Sequence, residues 1–263
     1  MTTLTKSPPE RIAGDDRLTD VDLDAFVKRE LCITLMLDDS GSMKGKKMTQ
    51  LNWAVRQIFG KLAEMSETHF AGIDVRVQVV SFSDTAQAMF SEPTPVSKLI
   101  YRDLSAAGST NMVAGIDLWR DQLAVSKSHG LQPVGILLTD GHPNHDPTRA
   151  IERLLSNPAG RVSQRAAIAF GHDADRSVLE KFISEGQKVY DVDSPEELAE
   201  SLEAATLATI EGSVVGNDND TEASVPAAQP VQTQFTQLDG GITDEEREEL
   251  LKNGYDPKEF EGE

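Results

Sequence analysis

Short, nearly continuous apolar runs alternate along this chain with segments of helical spacing. Leu31–Leu37 (LCITLML), Val134–Leu138 (VGILL) and Ala166–Phe170 (AAIAF) have no polar face. That is the pattern of strands covered on both sides, as in a parallel sheet. Val75–Phe82 (VRVQVVSF) alternates first and then turns fully apolar, and Lys188–Val192 offers one more short strand. Between them lie helical stretches. Met48, Leu51, Val55, Ile58, Leu62 and Met65 repeat at helical spacing, and a glycine-containing loop, LSAAGSTNMVAG, opens a helix running to about Ser128. Thr148–Leu155 and Arg176–Ser184 also read as helices. In SPEELAESLEAATLATI, Ser194 is the N-cap, Pro195 the first helical residue and Glu197 the capping-box partner. Ala86–Phe90 reads as a small edge strand beside a Pro-rich connection at Glu92–Pro95. Strands alternating with helices predict an α/β fold: a doubly wound, mostly parallel sheet with helices on both faces.

The pattern divides the chain into an N-terminal extension (1–28), a folded domain (29–210), a linker (211–241) and a short acidic helix or tail (242–263). The linker, rich in Gly, Asn, Asp, Pro, Gln and Thr, reads as disordered. Thr243, Glu246 and Gly254 supply the caps of the terminal helix. Formal charge is -19, and residues 211–263 hold fourteen acids against three bases. That balance argues against nucleic acid and anionic membrane surfaces as partners. The N-terminus has no apolar signal core and no stretch approaches a membrane span, so the expected location is cytoplasmic. Cys32, the one cysteine, reads as a small buried hydrophobe.

The first apolar run ends abruptly in oxygen-bearing side chains: MLDDSGSM places Asp38, Ser40 and Ser42 just beyond it. Asp140, in GILLTDG, follows another strand, and Thr110, in GST, sits in the loop before a helix. In open α/β sheets ligands bind beyond the carboxyl ends of the strands. Two acids and three hydroxyls suit a hard cation such as Mg²⁺ that keeps part of its shell open. Asp39 is expected to face solvent or a partner. His142, His145 and His172 read as loop residues, since no spaced Cys or carboxylate pair completes a zinc set. Ser40 and Ser42 could equally be turn and N-cap residues of the next helix. A serine nucleophile at Ser40 lacks the G-x-S-x-G elbow and a histidine to serve it.

The D-x-S-x-S of Asp38, Ser40 and Ser42, the threonine Thr110 and the T-D-G of Asp140 together resemble the metal-ion-dependent adhesion site (MIDAS) of von Willebrand factor A domains. The resemblance covers roughly residues 31–210. It implies that Ser40 and Ser42 bind Mg²⁺ directly (Mn²⁺ and Ca²⁺ being alternatives), and that Asp38, Thr110 and Asp140 bind directly or through water. It also implies that a partner protein's Asp or Glu completes the shell. GSTNM, LLTDGHPNHD and AIAFGHDADRSVLEKF are most similar to the bacterial tellurium-resistance-associated group, although Asn144 and His145 stand where that group often has acids. That likeness suggests a non-enzymatic module of a stress-response or signalling system, with a Ser/Thr kinase, a phosphatase or a forkhead-associated domain as partner. Thr236, with Asp239 three residues on, resembles a phosphothreonine motif such domains read. The alternatives are a subunit working with a separate AAA+ ATPase, the chain having no P-loop, and a metal-dependent hydrolase.

Overall fold

The computed structural model describes residues 29–217 apart from 69, 71 and 126–130. Among the described residues, seven strands form a single sheet flanked by six α-helices. In chain order these are β1 (Arg29–Asp38), α1 (Lys46–Thr68), β2 (Ile73–Phe82), β3 (Ala86–Ala88), β4 (Thr94–Pro95), α2 (Met112–Val125) and β5 (Val134–Thr139). There follow α3 (Thr148–Ser156), α4 (Pro158–Val162), β6 (Gln164–Phe170), α5 (Arg176–Phe182), β7 (Val189–Val192) and α6 (Pro195–Asn217).

The sheet order is β3-β2-β1-β5-β6-β7, and β4 also pairs with β2. The β1–β2, β1–β5, β5–β6 and β6–β7 pairings are parallel, while β3 and β4 run antiparallel at the edge. Two apolar layers follow from the period of two along each strand. Leu31, Ile33, Leu35 and Leu37 of β1 pack with Leu51, Val55 and Leu62 of α1 and Leu198 and Leu202 of α6. Met36, Val80 and Leu137 face the other way, against Ile116 and Trp119 of α2, Leu154 of α3 and Phe182 of α5. Gly135 is what lets Trp119 lie on the sheet: a Cβ there would come 2.2 Å from the indole. The doubly wound expectation is met.

Two details differ from the sequence reading. Glu92–Pro95 is not merely a connection, because Thr94 and Pro95 pair with Val77 and Arg76 at the sheet edge. Beyond Ile210 the chain does not break into linker, as the boundary at 211 had it; α6 continues to Asn217. Gly212 and Ser213, which read as loop residues, serve packing here. A Cβ on Gly212 would meet the Gln164 side chain at 2.8 Å, and Ser213 is fully buried with its hydroxyl donating to the Gln132 carbonyl. Tertiary contact overrides weak helix propensity. The expected capping box forms: Glu197 N–H donates to Ser194 Oγ at 3.2 Å, and Glu197 Oε2 accepts from Ser194 N–H at 3.2 Å. The extension 1–28, most of the linker and the acidic terminal helix lie outside the described residues.

Candidate metal centre

β1 and β5 are neighbours and parallel, so their carboxyl ends open side by side. Asp38 is the last residue of β1, and Asp140 follows directly on β5. Both are buried. Asp38 Oδ1 accepts the Ser40 N–H at 2.8 Å, and Oδ2 accepts the Thr139 hydroxyl. This ties the two strand ends together through one carboxylate. Burial pushes the Asp38 carboxyl above its usual range, against the hydrogen bonds from Ser40 and Thr139; the Asp140 charge adds to the rise.

After Asp38 the chain turns through a 3-10 segment at Gly41–Met43. Ser40 occupies its N-cap position yet makes no capping bond. Instead Ser40 Oγ lies 2.9 Å from Ser42 Oγ, and Ser42 Oγ donates to Asp140 Oδ1 at 2.6 Å. Ser40 and Ser42 thus sit in a turn, in line with one of the sequence readings, but their hydroxyls are bonded to each other and to Asp140 and no capping bond of Ser40 is seen. Thr110 arrives from a different loop. A methyl group on Gly141 would stand 3.8 Å from Ser42 Oγ and 3.9 Å from Thr110 Oγ1, so the two hydroxyls flank one point. Ser42 is exposed and leaves that side open to solvent. All five residues singled out by sequence thus converge at the ends of β1 and β5.

Backbone bonds fix the Thr110 loop. Gly41 N–H donates to Gly108 O at 2.9 Å, Ala107 N–H to Asp39 O at 2.8 Å, and Asn144 N–H to Thr110 O at 2.9 Å. Asp84, which sequence reasoning passed over, grips the same loop: its Oδ1 accepts both the N–H and the hydroxyl of Ser109, at 2.9 and 2.6 Å. Those bonds hold its carboxyl below the usual range. Gly108 has φ 76°, where L side chains are strained. Any Cβ there would also come 2.7 Å from the Asp84 carboxylate. Further back, Asn52 of α1 anchors the approach to the loop. Its Nδ2 donates to Leu104 O at 3.0 Å, and its Oδ1 accepts from Leu104 N–H at 2.9 Å and from the Tyr101 hydroxyl at 2.7 Å. Asn52→Ala leaves those backbone groups unpaired and is expected to cost about 2 kcal/mol. A urea melt reads the loss directly; an unchanged midpoint would remove Asn52 from this role.

Asp39, expected to face solvent or a partner rather than the metal, turns away from the candidate site but is not fully solvent-exposed. It is half-buried beside Ser81 and Ser83, and its Oδ1 is buried with no hydrogen-bond partner among the described residues. Burial raises its carboxyl above the usual range, with the Ser83 and Ser81 hydroxyls opposing. His142 is largely exposed, its Nδ1 3.4 Å from Asp175 Oδ2, and His172 is exposed near Asp193. No group of three or more His, Cys, Asp or Glu side chains gathers among the described residues. Cys32 is half-buried rather than fully buried, and burial raises its thiol to about 11, away from reactivity. The other residue sequence reading missed is Lys47, whose ammonium lies 2.6 Å from Asp140 Oδ2. Nothing in the linear pattern signals a contact across ninety-three positions. Thr236 lies outside the described residues.

The family model of the von Willebrand factor type A domain matches residues 33–204. The chain belongs to that family. Among curated proteins, inter-alpha-trypsin inhibitor heavy chain H1 of Mesocricetus auratus is similar to this VWA chain, 28% identical over 173 residues. That alignment covers 60% of the chain but only 18% of the length of that relative. Solved structures share the fold at low identity. The von Willebrand factor type A protein of Catenulispora acidiphila has a TM-score of 0.54 at 20% identity, covering 69% of this chain and 43% of that one. Proximal thread matrix protein 1 from the mussel byssus, solved with a zinc-occupied MIDAS motif, gives 0.52 at 20% identity, covering 70% and 46%. VWA domains are often metal-dependent protein–protein interaction modules. No helix among the described residues is long and apolar enough to cross a membrane.

Proposed function

We propose that this VWA chain is a non-enzymatic module that binds a protein partner through a divalent cation, Mg²⁺ by the chemistry of its donors. The observation that supports this reading is the cluster at the ends of β1 and β5: Ser42 Oγ lies 2.9 Å from Ser40 Oγ and donates to Asp140 Oδ1, Thr110 Oγ1 flanks the same point, and Asp38 accepts the Ser40 N–H. A hydroxyl-rich set with two acids fits a hard ion that keeps coordination positions for water or an outside oxygen. The zinc-occupied motif of the mussel protein supports divalent binding at such a site and leaves the identity of the ion to the donors. When bound, the ion would supply a Lewis-acidic point for an incoming carboxylate.

Ser40 and Ser42 would hold the ion, with Asp38, Thr110 and Asp140 beside them. A partner Asp or Glu would fill the side left open at exposed Ser42. The hydrolase alternative finds less support. Ser40 Oγ is engaged by Ser42 rather than by a base, and His142 turns to Asp175. The likeness to the tellurium-resistance-associated group supports a cytoplasmic kinase or phosphatase system as the setting, at the level of sequence only. The test is affinity capture of partners from the native host with and without EDTA, repeated with Thr110→Ala. Partners retained equally under all three conditions would sink the carboxylate-through-metal reading.

A further inference from the structure

Lys47 stands in the first turn of α1, beside the proposed metal site but outside its ligand set. A cation is ordinarily disfavoured at a helix N-terminus, where the backbone already presents positive partial charge. Its neighbours Lys44 and Lys46 are exposed. Lys47 alone of the three folds back. Its Nζ lies 2.6 Å from Asp140 Oδ2, with the Asp140 side chain fully buried and that of Lys47 35% exposed. The same ammonium lies 5.9 Å from the centre of the Phe170 ring at the end of β6. Gly171 leaves it room: even a methyl group there would stand 3.8 Å from Nζ. Asp140 is therefore fully engaged, with Oδ1 taking the Ser42 hydroxyl and Oδ2 the ammonium.

We infer that Lys47 is a built-in counter-cation of the site, weakening divalent-ion binding so that the loaded site remains electropositive toward a partner's carboxylate. This rests on the metal-binding reading above. Asp38 and Asp140 ionised would bring two negative charges, enough to neutralise a divalent ion. Lys47 offsets one of them, so the loaded cluster carries a net positive charge instead of none. An ion near Asp140 also sits within a few ångströms of a like charge that is only partly screened by solvent. The lysine gives up metal affinity and keeps an attractive field at the open position.

The test compares wild type, Lys47→Met and Lys47→Arg as full chains, titrated calorimetrically with Mn²⁺ alone and melted in EDTA. Lys47→Met is expected to bind Mn²⁺ about tenfold more tightly, and to melt lower in EDTA because buried Asp140 Oδ2 loses the ammonium and keeps only the Ser42 hydroxyl on Oδ1. Lys47→Arg is expected to stay close to wild type in both. A Lys47→Met chain that melts lower in EDTA but binds Mn²⁺ no more tightly would reduce Lys47 to a structural ion pair and overturn the inference, leaving the metal site intact. A wild-type chain that takes up no Mn²⁺ would overturn the metal site itself, and this inference with it.

Discussion

Saturating Mg²⁺ or Mn²⁺ will raise the unfolding midpoint of the wild-type chain and leave that of Asp38→Ala unmoved by the ion. A ligand that binds only the folded state stabilises by about 2.7 kcal/mol at a hundredfold excess over Kd. For a domain of this size that is roughly 5–10 °C. Asp38 also accepts the Ser40 N–H and the Thr139 hydroxyl, so its removal will lower the metal-free midpoint as well. The quantity that counts is the increment on adding metal to each variant. Thr110→Ala makes the cleaner companion, because no hydrogen bond of the Thr110 hydroxyl is seen among the described residues. It should retain the metal-free midpoint and lose most of the increment. If both variants keep the wild-type increment, the ion binds elsewhere and the five-residue site is wrong.

The largest purely structural loss is expected at Arg165, far from the site. Its guanidinium is buried at the start of β6, and no carboxylate pairs with it among the described residues. It donates instead to carbonyls: Nε to Phe182 O at 2.8 Å, and Nη1 to Gly160 O and Ser163 O at 2.9 and 2.8 Å. Phe182 ends α5, Gly160 lies in α4 and Ser163 follows it, so one side chain satisfies acceptors that two helix ends leave over. Burial lowers the Arg165 pKa. Arg165→Leu removes four charge-assisted hydrogen bonds at once and takes from Phe182 O its donor, while Gly160 O and Ser163 O keep the hydroxyls of Ser163 and Ser184. It should cost about 3–5 kcal/mol. Urea unfolding would show a reduced midpoint at constant slope. A loss under about 1 kcal/mol would mean that the Ser163 and Ser184 hydroxyls suffice for these carbonyls and that Arg165 holds nothing together.

The contrast between these sites shows what a linear sequence carries. The parallel strands were legible because burial on both faces removes polar residues from β1, β5 and β6. Asp38, Ser40, Ser42, Thr110 and Asp140 were legible because each follows a strand or opens a helix at a fixed offset. Lys47 and Asp84 were not, since each acts through a side chain whose partner comes from another crossover. The same holds for Gly212 and Ser213, whose helical state depends on Gln164 and Gln132 of other segments. The partial burial of Asp39 was not legible either, although its turning away from the metal side was expected. Its neighbour Asp38 points into the site, and alternation along an extended backbone turns Asp39 toward the Ser81–Ser83 side.

The two ends of the fold have a consequence for assembly. The chain enters at Arg29, where β1 begins, and α6 runs back to the same end, with Ser213 bonded to Gln132 beside the start of β5. The ten residues of β1 separate that end from Asp38 by about 30 Å. Both junctions of the domain are therefore at the pole opposite the proposed metal site. A fusion or tag placed directly at either junction is thus attached away from the proposed metal site, and the domain can be immobilised by that end for binding measurements.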